Sequence, residues 1–452
     1  MNNTNGTTEN LSIEQIANKL KRAAEFISSR VVNRGEVIEQ AFCALLTGEH
    51  LLLQSRTGTG KTLLSEQLFG MFSGAHIFRV QASKEQQPDT YFGGLDIELL
   101  KTGKIVHNTA GSLVESEFGF IDEIFDANDF TLRALLSLLN ERRLIRGVQN
   151  VPAKIHTVIA ATNYLRVTEV TEALLDRFLY KAIVLPDKEP FMQYKISQQY
   201  LQHSARTLTP PEQIAFKELQ YFHSFVTGNN PNIEISITPE LLYFTNLVVR
   251  NYEFQRNRHL REVNKGAASA HYNDYYISPR TQAKSLDLLR ALALLKGRTE
   301  IQHDDVEKLY FVFATVGIPE EVAMYKKAYT TVLNTMISSN GFEQIKVLLG
   351  FESLLSEIRK DHSAMQRPLA SLTNSQLKKT FLDWVKETIG GIDQTPEHNK
   401  KIIEDFLKDF IPACDEVREL KAALEIEMIR LFQEIEREKA RAARAKLVME
   451  NS

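Results

Sequence analysis

Cysteine is nearly absent: Cys43 and Cys414 are the only two in 452 residues. They lie far apart, without the spacing of zinc ligands or a disulfide framework, which points to a reducing, cytoplasmic setting. Long apolar runs are missing too. None approaches the ~18–20 residues a membrane span needs, and the N-terminus lacks a basic-then-apolar export signal. Neither charge sign dominates. The net charge of −3 gives no overall basic field and argues against nucleic acid as the partner, although a local patch would not show in the total. Asn2-Asn3-Thr4, Asn5-Gly6-Thr7 and Asn10-Leu11-Ser12 match the glycosylation pattern. In a cytosolic chain they read instead as a polar, disordered tail over residues 1–11.

What is present suits a soluble globular protein of two or three domains, with 43% hydrophobic and 25% charged residues. The organising stretch is Ser55-Arg56-Thr57-Gly58-Thr59-Gly60-Lys61-Thr62. Leu51-Leu52-Leu53 leads in as a strand, and a helical pattern through Leu63, Leu64, Leu68 and Phe69 leads out. A glycine-bearing turn between strand and helix aims backbone N–H groups and a helix N-terminus at an anion. Lys61 then reaches the β/γ-phosphates of a nucleotide, and the Thr62 hydroxyl ligates Mg²⁺. Ser55 stands where this motif wants its first glycine. The alternative is a strand–turn–helix without function.

Around it, Ser12–Ser29 reads as an amphipathic helix, Val37–Leu46 as a second helix, and Ile77-Phe78-Arg79-Val80 as a strand. A further strand, Phe118–Ile121, delivers Asp122 and Glu123 to its carboxyl end. Adjacent carboxylates there fit a Walker B element: Asp122 for the metal, Glu123 to orient and polarise a water. They also fit a plain helix cap. A helix carrying Phe130, Leu135, Leu136 and Leu139 follows, and then a hairpin, Leu144-Ile145-Arg146 turning at Gly147 and returning through Val151 to Ile155. The strand His156–Thr162 ends in Asn163, either a water- or phosphate-binding amide or an Asx-turn residue. Leu174–Phe178 closes a short helix before the strand Tyr180–Leu185. Alternation of this kind predicts a parallel α/β sheet with its ligand at the carboxyl edge.

Pro186 ends that unit, and the rest reads as helical. Thr209-Pro210, Thr238-Pro239 and Ser278-Pro279 each look like an N-cap followed by proline at the first helical position. The third puts Arg280 in a first turn, where it can face a nucleotide or simply solvent. Asn251–Tyr276 reads as a long polar and aromatic loop, and its cations as a solvated face. Val417, Leu420, Leu424, Met428, Leu431 and Ile435 form a short heptad-like seam suited to packing within the domain. Past Glu436 the helix turns to Glu, Lys, Arg and Ala, for solvent or a partner.

In this order and spacing, the P-loop, Phe92-Gly93-Gly94-Leu95, Gly111-Ser112-Leu113, Asp122-Glu123, Leu138–Arg142, Ala161-Thr162-Asn163, Leu175–Phe178 and Ile277–Arg280 resemble an AAA+ ATPase of the MoxR group, nearest its RavA-like branch. The likeness covers roughly residues 12–315. It implies an α/β P-loop core over 12–186, an all-α lid over 187–317 and, beyond the likeness, an all-α extension over 318–452. It also implies ATP and Mg²⁺, with Ser55 through Leu63 holding the nucleotide, and Thr62 and Asp122 the metal. Glu123, Lys61, Asn163 (sensor 1), Arg177 (arginine finger) and Arg280 (sensor 2) would be catalytic. Arg177 would serve a neighbouring subunit, hence a homo-oligomeric ring, usually a hexamer; whether Arg280 acts in cis or in trans stays open. Arg142 or Arg143 could join the intersubunit site. A hairpin inserted between Phe92 and Glu117, its tip at Leu99–Ile105 with Gly103 as the turn, matches the helix-2 insert of this branch. Such ATPases often act as chaperone-like assembly factors with a protein client or an adaptor bearing a von Willebrand factor A domain. Two rivals remain: a nucleic-acid-stimulated motor, which would show salt-dependent DNA or RNA binding, and a non-catalytic nucleotide-dependent scaffold, which would show no ATP turnover.

Overall fold

Strands that read as near-continuous apolar runs must be covered on both faces, as parallel sheets are. The computed structural model describes residues 11–146, 149–166, 168–203, 210, 212–263, 275–314, 320–367 and 396–450. Its strands are β1 (Leu51–Ser55), β2 (Phe72–Ser73), β3 (Ile77–Gln81), β4 (Phe118–Asp122), β5 (Arg143–Arg146), β6 (Gln149–Pro152), β7 (Thr157–Thr162), β8 (Tyr180–Val184) and β9 (Ile214–Ala215). Five of them form one parallel sheet in the order β3-β4-β7-β1-β8, with Leu51 level with Ile159 and Phe118 level with Thr157. Leu52, Ile121, Val158 and Ala160 look into one apolar cluster, while Leu51, Leu53, Ile159 and Ala161 are buried as well.

The helices are α1 (Ile13–Ser28), α2 (Gly35–Thr47), α3 (Lys61–Gly70), α4 (Asp89–Phe92), α5 (Ile97–Lys101), α6 (Asp129–Glu141), α7 (Glu169–Arg177), α8 (Pro190–His203), α9 (Phe216–Val226), α10 (Pro239–Val263), α11 (Pro279–Leu295), α12 (His303–Val306), α13 (Tyr310–Phe313), α14 (Glu320–Ser338), α15 (Gly341–Lys360), α16 (Pro396–Asp409) and α17 (Asp415–Glu450). Their ends follow the local chemistry. Ser12 and Gln15 form a capping box on α1, Gly48 takes the left-handed conformation that stops α2, and Ser278 caps α11 with proline behind it.

Contacts divide the chain into two compact units, Met1–Ser236 with His271–Lys326, and Ile237–Ala270 with Lys327–Ser452. The first holds the sheet and the helices α1–α9 and α11–α13. In the second, α15 packs against α10 and α17. The seam from Val417 to Ile435 is buried there, and residues 437–444 are exposed. So α10, which falls within the 187–317 range assigned to the lid from sequence, packs with the C-terminal helices.

Several expectations are corrected. The insert after Phe92 is a hairpin only at its base, where Leu95 bridges His107 and Asp96 N–H donates to Val106 O at 2.8 Å. Its tip is the helical turn α5, because the Asp96 carboxylate accepts from the Glu98 and Leu99 N–H groups; Gly103 still makes the turn, at φ 78°. Residues 251–263 are not loop but the end of α10, with Tyr252 and Arg256 buried on its inner face. Pro210 begins no helix, and α9 starts only at Phe216. The region after Pro186 is not wholly helical, since β9 pairs in parallel with β2. Thr209, Gly147 and residues 264–274 lie outside the described residues.

The amino edge of the sheet is sealed by polar groups. Arg142, in the left-handed conformation that ends α6, donates through Nη1 to the carbonyls of Ile155 and His156 and through Nη2 to that of Gly48, each at 2.5 Å. That commitment removes Arg142 from the intersubunit candidates; Arg143 is exposed and bonds Asn150 Oδ1 at 2.7 Å. His50 accepts from Val158 N–H at 3.0 Å through Nδ1, so its Nε2 is the donor to Leu139 O at 3.1 Å. Burial, then the Arg142 charge, keeps His50 well below the usual imidazole range. Burial, then His223 and Arg142, pulls His156 down to about 3.

Truncating Arg142 to alanine leaves three buried carbonyls unpaired. It should cost about 2–4 kcal/mol, read as a lower denaturant midpoint at unchanged slope. The histidines set a pH dependence. Their folded pKa values lie below the unfolded ~6.5, so the unfolded chain binds the extra protons. Stability is therefore complete above that pH and falls as pH drops from about 6.5 toward 3, by up to ~1.4 kcal/mol per pH unit for each histidine. The melting temperature of His156→Gln should fall less steeply over that window than that of the parent.

Candidate functional site

β4, β7 and β1 are parallel neighbours in that order, so whatever leaves their carboxyl ends meets on one edge. Asp122 and Glu123 leave β4, Asn163 leaves β7, and the glycine loop leaves β1. Lys61, the first residue of α3, is only 8% exposed. Its ammonium donates to Asn163 Oδ1 at 2.6 Å and Glu123 Oε1 at 3.2 Å, and sits 3.9 Å from Asp122 Oδ1. Asn163 holds Glu123 twice, its backbone N–H donating to Oε2 at 3.1 Å and its Nδ2 to Oε1. Glu123 itself has φ 50°, a left-handed conformation that costs a non-glycine residue on the order of 1 kcal/mol and turns the chain sharply off the strand. Lys61, Asp122, Glu123 and Asn163 are thus brought together as the sequence predicts.

The loop beside them is built for close backbone approach. Gly58 and Gly60 have φ 80° and 85°, with nothing within 4 Å of where a side chain would begin, so the requirement is backbone conformation rather than room. Ser55 is buried and its hydroxyl donates to Arg56 O at 3.2 Å; the Thr59 hydroxyl donates to the same carbonyl at 2.9 Å. The serine in place of the usual glycine therefore ties the loop's first turn. The Arg56 side chain is exposed. A cleft of about 580 Å³ opens over Thr57–Gly60 and Leu63, a size suited to a nucleotide-sized ligand. Thr62 is exposed on the first turn of α3, and its hydroxyl with the Asp122 carboxylate gives the hard oxygen donors Mg²⁺ prefers.

The two arginines are placed elsewhere. Arg177 ends α7 just before β8, toward the amino edge of the sheet, and pairs with the Asp176 carboxylate. Arg280 is exposed one turn before Lys284, whose ammonium meets Glu49 at 2.6 Å, at the amino end of β1. The loop leaves the opposite end of that strand, five residues at roughly 3.3 Å each away.

Other contributors were not legible in the sequence. The far wall of the cleft comes from Arg30, Val31, Val32 and Arg34 between α1 and α2, Pro186 and Asp187 after β8, and Ile196, Gln199 and Tyr200 of α8. Behind Glu123, the Tyr164 hydroxyl donates to Asp126 Oδ1 at 2.5 Å, and Arg166 pairs with Asp129. That bond to Asp126, with some burial, pushes the Tyr164 hydroxyl up to about 12. No motif marks these residues; only strand order brings them near, although a charged residue directly after a strand's carboxyl end was a readable hint for Asp187.

Residues 18–223 match the model of the MoxR domain found in MoxR–vWA–β-propeller ternary systems, and residues 258–316 match an AAA lid domain. An uncharacterized Methanocaldococcus jannaschii protein, MJ0079, is 27% identical over 67% of this chain and 71% of its own length. Chaperone MoxR1 of Mycobacterium tuberculosis is 27% identical over 46% of this chain; the chain spans 52% of that relative. A crystal structure of a candidate ATPase from Cytophaga hutchinsonii shares the fold, with a TM-score of 0.55 at 18% identity over 71% of this chain and 95% of the other. The glycine loop, the Asp122-Glu123 pair and the Asn163 amide, at the ends of three adjacent strands, all lie within the stretch similar to the MoxR domain, and the stretch similar to an AAA lid follows it in the chain.

Proposed function

We propose that the chain binds ATP·Mg²⁺ at the carboxyl edge of its sheet, hydrolyses it, and uses the energy to remodel or assemble other proteins. The observation that carries this is the meeting of Lys61, Glu123 and Asn163 beside a loop whose glycines leave its backbone open. Phosphoryl transfer asks chiefly for positioning and charge. Lys61 and the N–H groups of Thr57–Gly60 hold the phosphates. Thr62 and Asp122 hold the metal, which supplies charge neutralisation at the phosphates when bound. Glu123 accepts a proton from the attacking water, and Asn163 orients that water or the γ-phosphate.

Arg177 and Arg280 lie off this cluster, so in this reading they act on the nucleotide of a neighbouring copy, within a homo-oligomeric ring of the hexameric kind. The matched domain's association with vWA and β-propeller proteins supports an adaptor bearing a von Willebrand factor A domain, and the chaperone name of a relative supports a protein client. The motif stretches favour the RavA-like branch. The described residues after 320 are helical, so that branch's partners are not carried over. No described helix is long and apolar enough to cross a membrane, and we place the activity in the cytoplasm.

A steady-state ATPase assay tests the core of this. Glu123→Gln should still bind ATP while turnover falls about 10²-fold or more; normal turnover would remove Glu123 from its role. Lys61→Ala should raise the ATP dissociation constant by at least about tenfold, since a charge-assisted phosphate contact is lost. Arg177→Ala should bind ATP but not hydrolyse it. Mixing it with Glu123→Gln should restore part of the activity if sites are shared, and no rescue at any ratio rejects a trans role.

A further inference from the structure

The cleft beside the glycine loop is lined in part by a buried ion pair that the phosphate chemistry does not use. Asn33 lies between α1 and α2 in a left-handed conformation, φ 55°, and its Nδ2 donates to Asp187 Oδ1 at 2.5 Å. Arg34 Nη1 donates to Asn33 O at 2.9 Å and stands 2.9 Å from Asp187 Oδ2. Both ionic side chains are removed from water, 9% and 7% exposed. Yet Asp187 Oδ2 and Arg34 Nε complete no aligned hydrogen bond, so the carboxylate–guanidinium contact is a charge contact rather than a formed fork. A buried pair of this kind is a poor source of stability; apolar side chains of similar size would serve packing as well or better. What it does uniquely is join two segments distant in sequence. Val31 and Val32 line the cleft, as do Pro186 and Asp187, together with the glycine loop.

We propose that Asp187, clasping Asn33 and Arg34, positions the wall that receives the purine base of the nucleotide and thereby sets base affinity and selectivity. The inference rests on the ATP reading above. The clasp touches none of Lys61, Asp122, Glu123 and Asn163, whose partners are one another. Base and phosphates are therefore held by separate groups, and the two ends can be loosened separately. A wall recognises a base best when its position is fixed in advance, and preorganisation of this sort acts on affinity.

The test uses the full-length chain and three probes, ADP, GDP and inorganic tripolyphosphate, with binding measured by calorimetry. Asp187→Ala should weaken ADP about tenfold, shrink the ADP-over-GDP preference, and leave tripolyphosphate affinity unchanged. Asn33→Gly should move ADP in the same direction by less. Asn33 is exposed, and glycine accepts its φ at no cost, so this variant decides the matter even if Asp187→Ala does not fold. Equal losses for ADP and tripolyphosphate, or unchanged ADP binding in both variants, overturns the clasp. A parent protein that binds tripolyphosphate but not ADP overturns it too. A parent that binds none of the probes overturns the ATP reading itself, which separates the two failures.

Discussion

A buried ammonium at the first residue of a helix is a difficult thing to keep. The helix dipole presents its positive end there, so Lys61 gains nothing from α3, and burial alone disfavours its charge. What makes the arrangement tenable is the set of oxygens around its tip: Glu123, Asn163 and, farther off, Asp122. The two acids come from the end of β4 and the amide from the end of β7, its parallel neighbour. The order β4-β7-β1, the left-handed turn at Glu123 and the open backbone at Gly58 and Gly60 all bear on that one cation. A phosphate arriving at the loop would meet a helix terminus, backbone N–H groups and an ammonium already aimed at anions. It would exchange partners with Lys61 rather than recruit a distant charge.

The two edges of the sheet have different physical tasks. At the amino edge, Arg142 spends its guanidinium on three carbonyls, and His50 bridges Leu139 and Val158 as a neutral imidazole. These groups are buried, paired for the most part, and serve cohesion. At the carboxyl edge, the glycine loop borders a cleft, and a strained residue is tolerated at position 123. Separating the jobs lets one edge stay rigid while the other accepts a ligand.

Much of this was readable before any coordinates, because the informative features are local. An apolar run ending in Gly58-Thr59-Gly60-Lys61, and another ending in Asp122-Glu123, declare both a strand and its chemistry. Asn163 needed the sheet order to choose between a turn residue and a ligand, and that order settles which groups it touches. The clasp at Asp187 was invisible because its partners, Asn33 and Arg34, lie some 150 residues away in sequence. Residues 251–263 misled for a plainer reason: Asn, Tyr, Phe and His have modest helix propensity, and burial of Tyr252 and Arg256 outweighs it. At residues 97–101, an aspartate cap outweighed a hairpin expectation drawn from likeness.

One feature of the second unit has mechanical content. α17 runs for 36 residues, anchored along its first half by the buried seam ending at Ile435. Beyond it, a further stretch continues as helix, with residues 437–444 exposed. It is short for a helix that must nucleate alone, but it grows from one already formed and needs only propagation. At 1.5 Å per residue, that further stretch is a lever of roughly 20 Å. A tilt of about ten degrees in the anchored half would sweep its tip through several ångströms, so small repacking beneath Leu424 or Leu431 would be magnified at the far end.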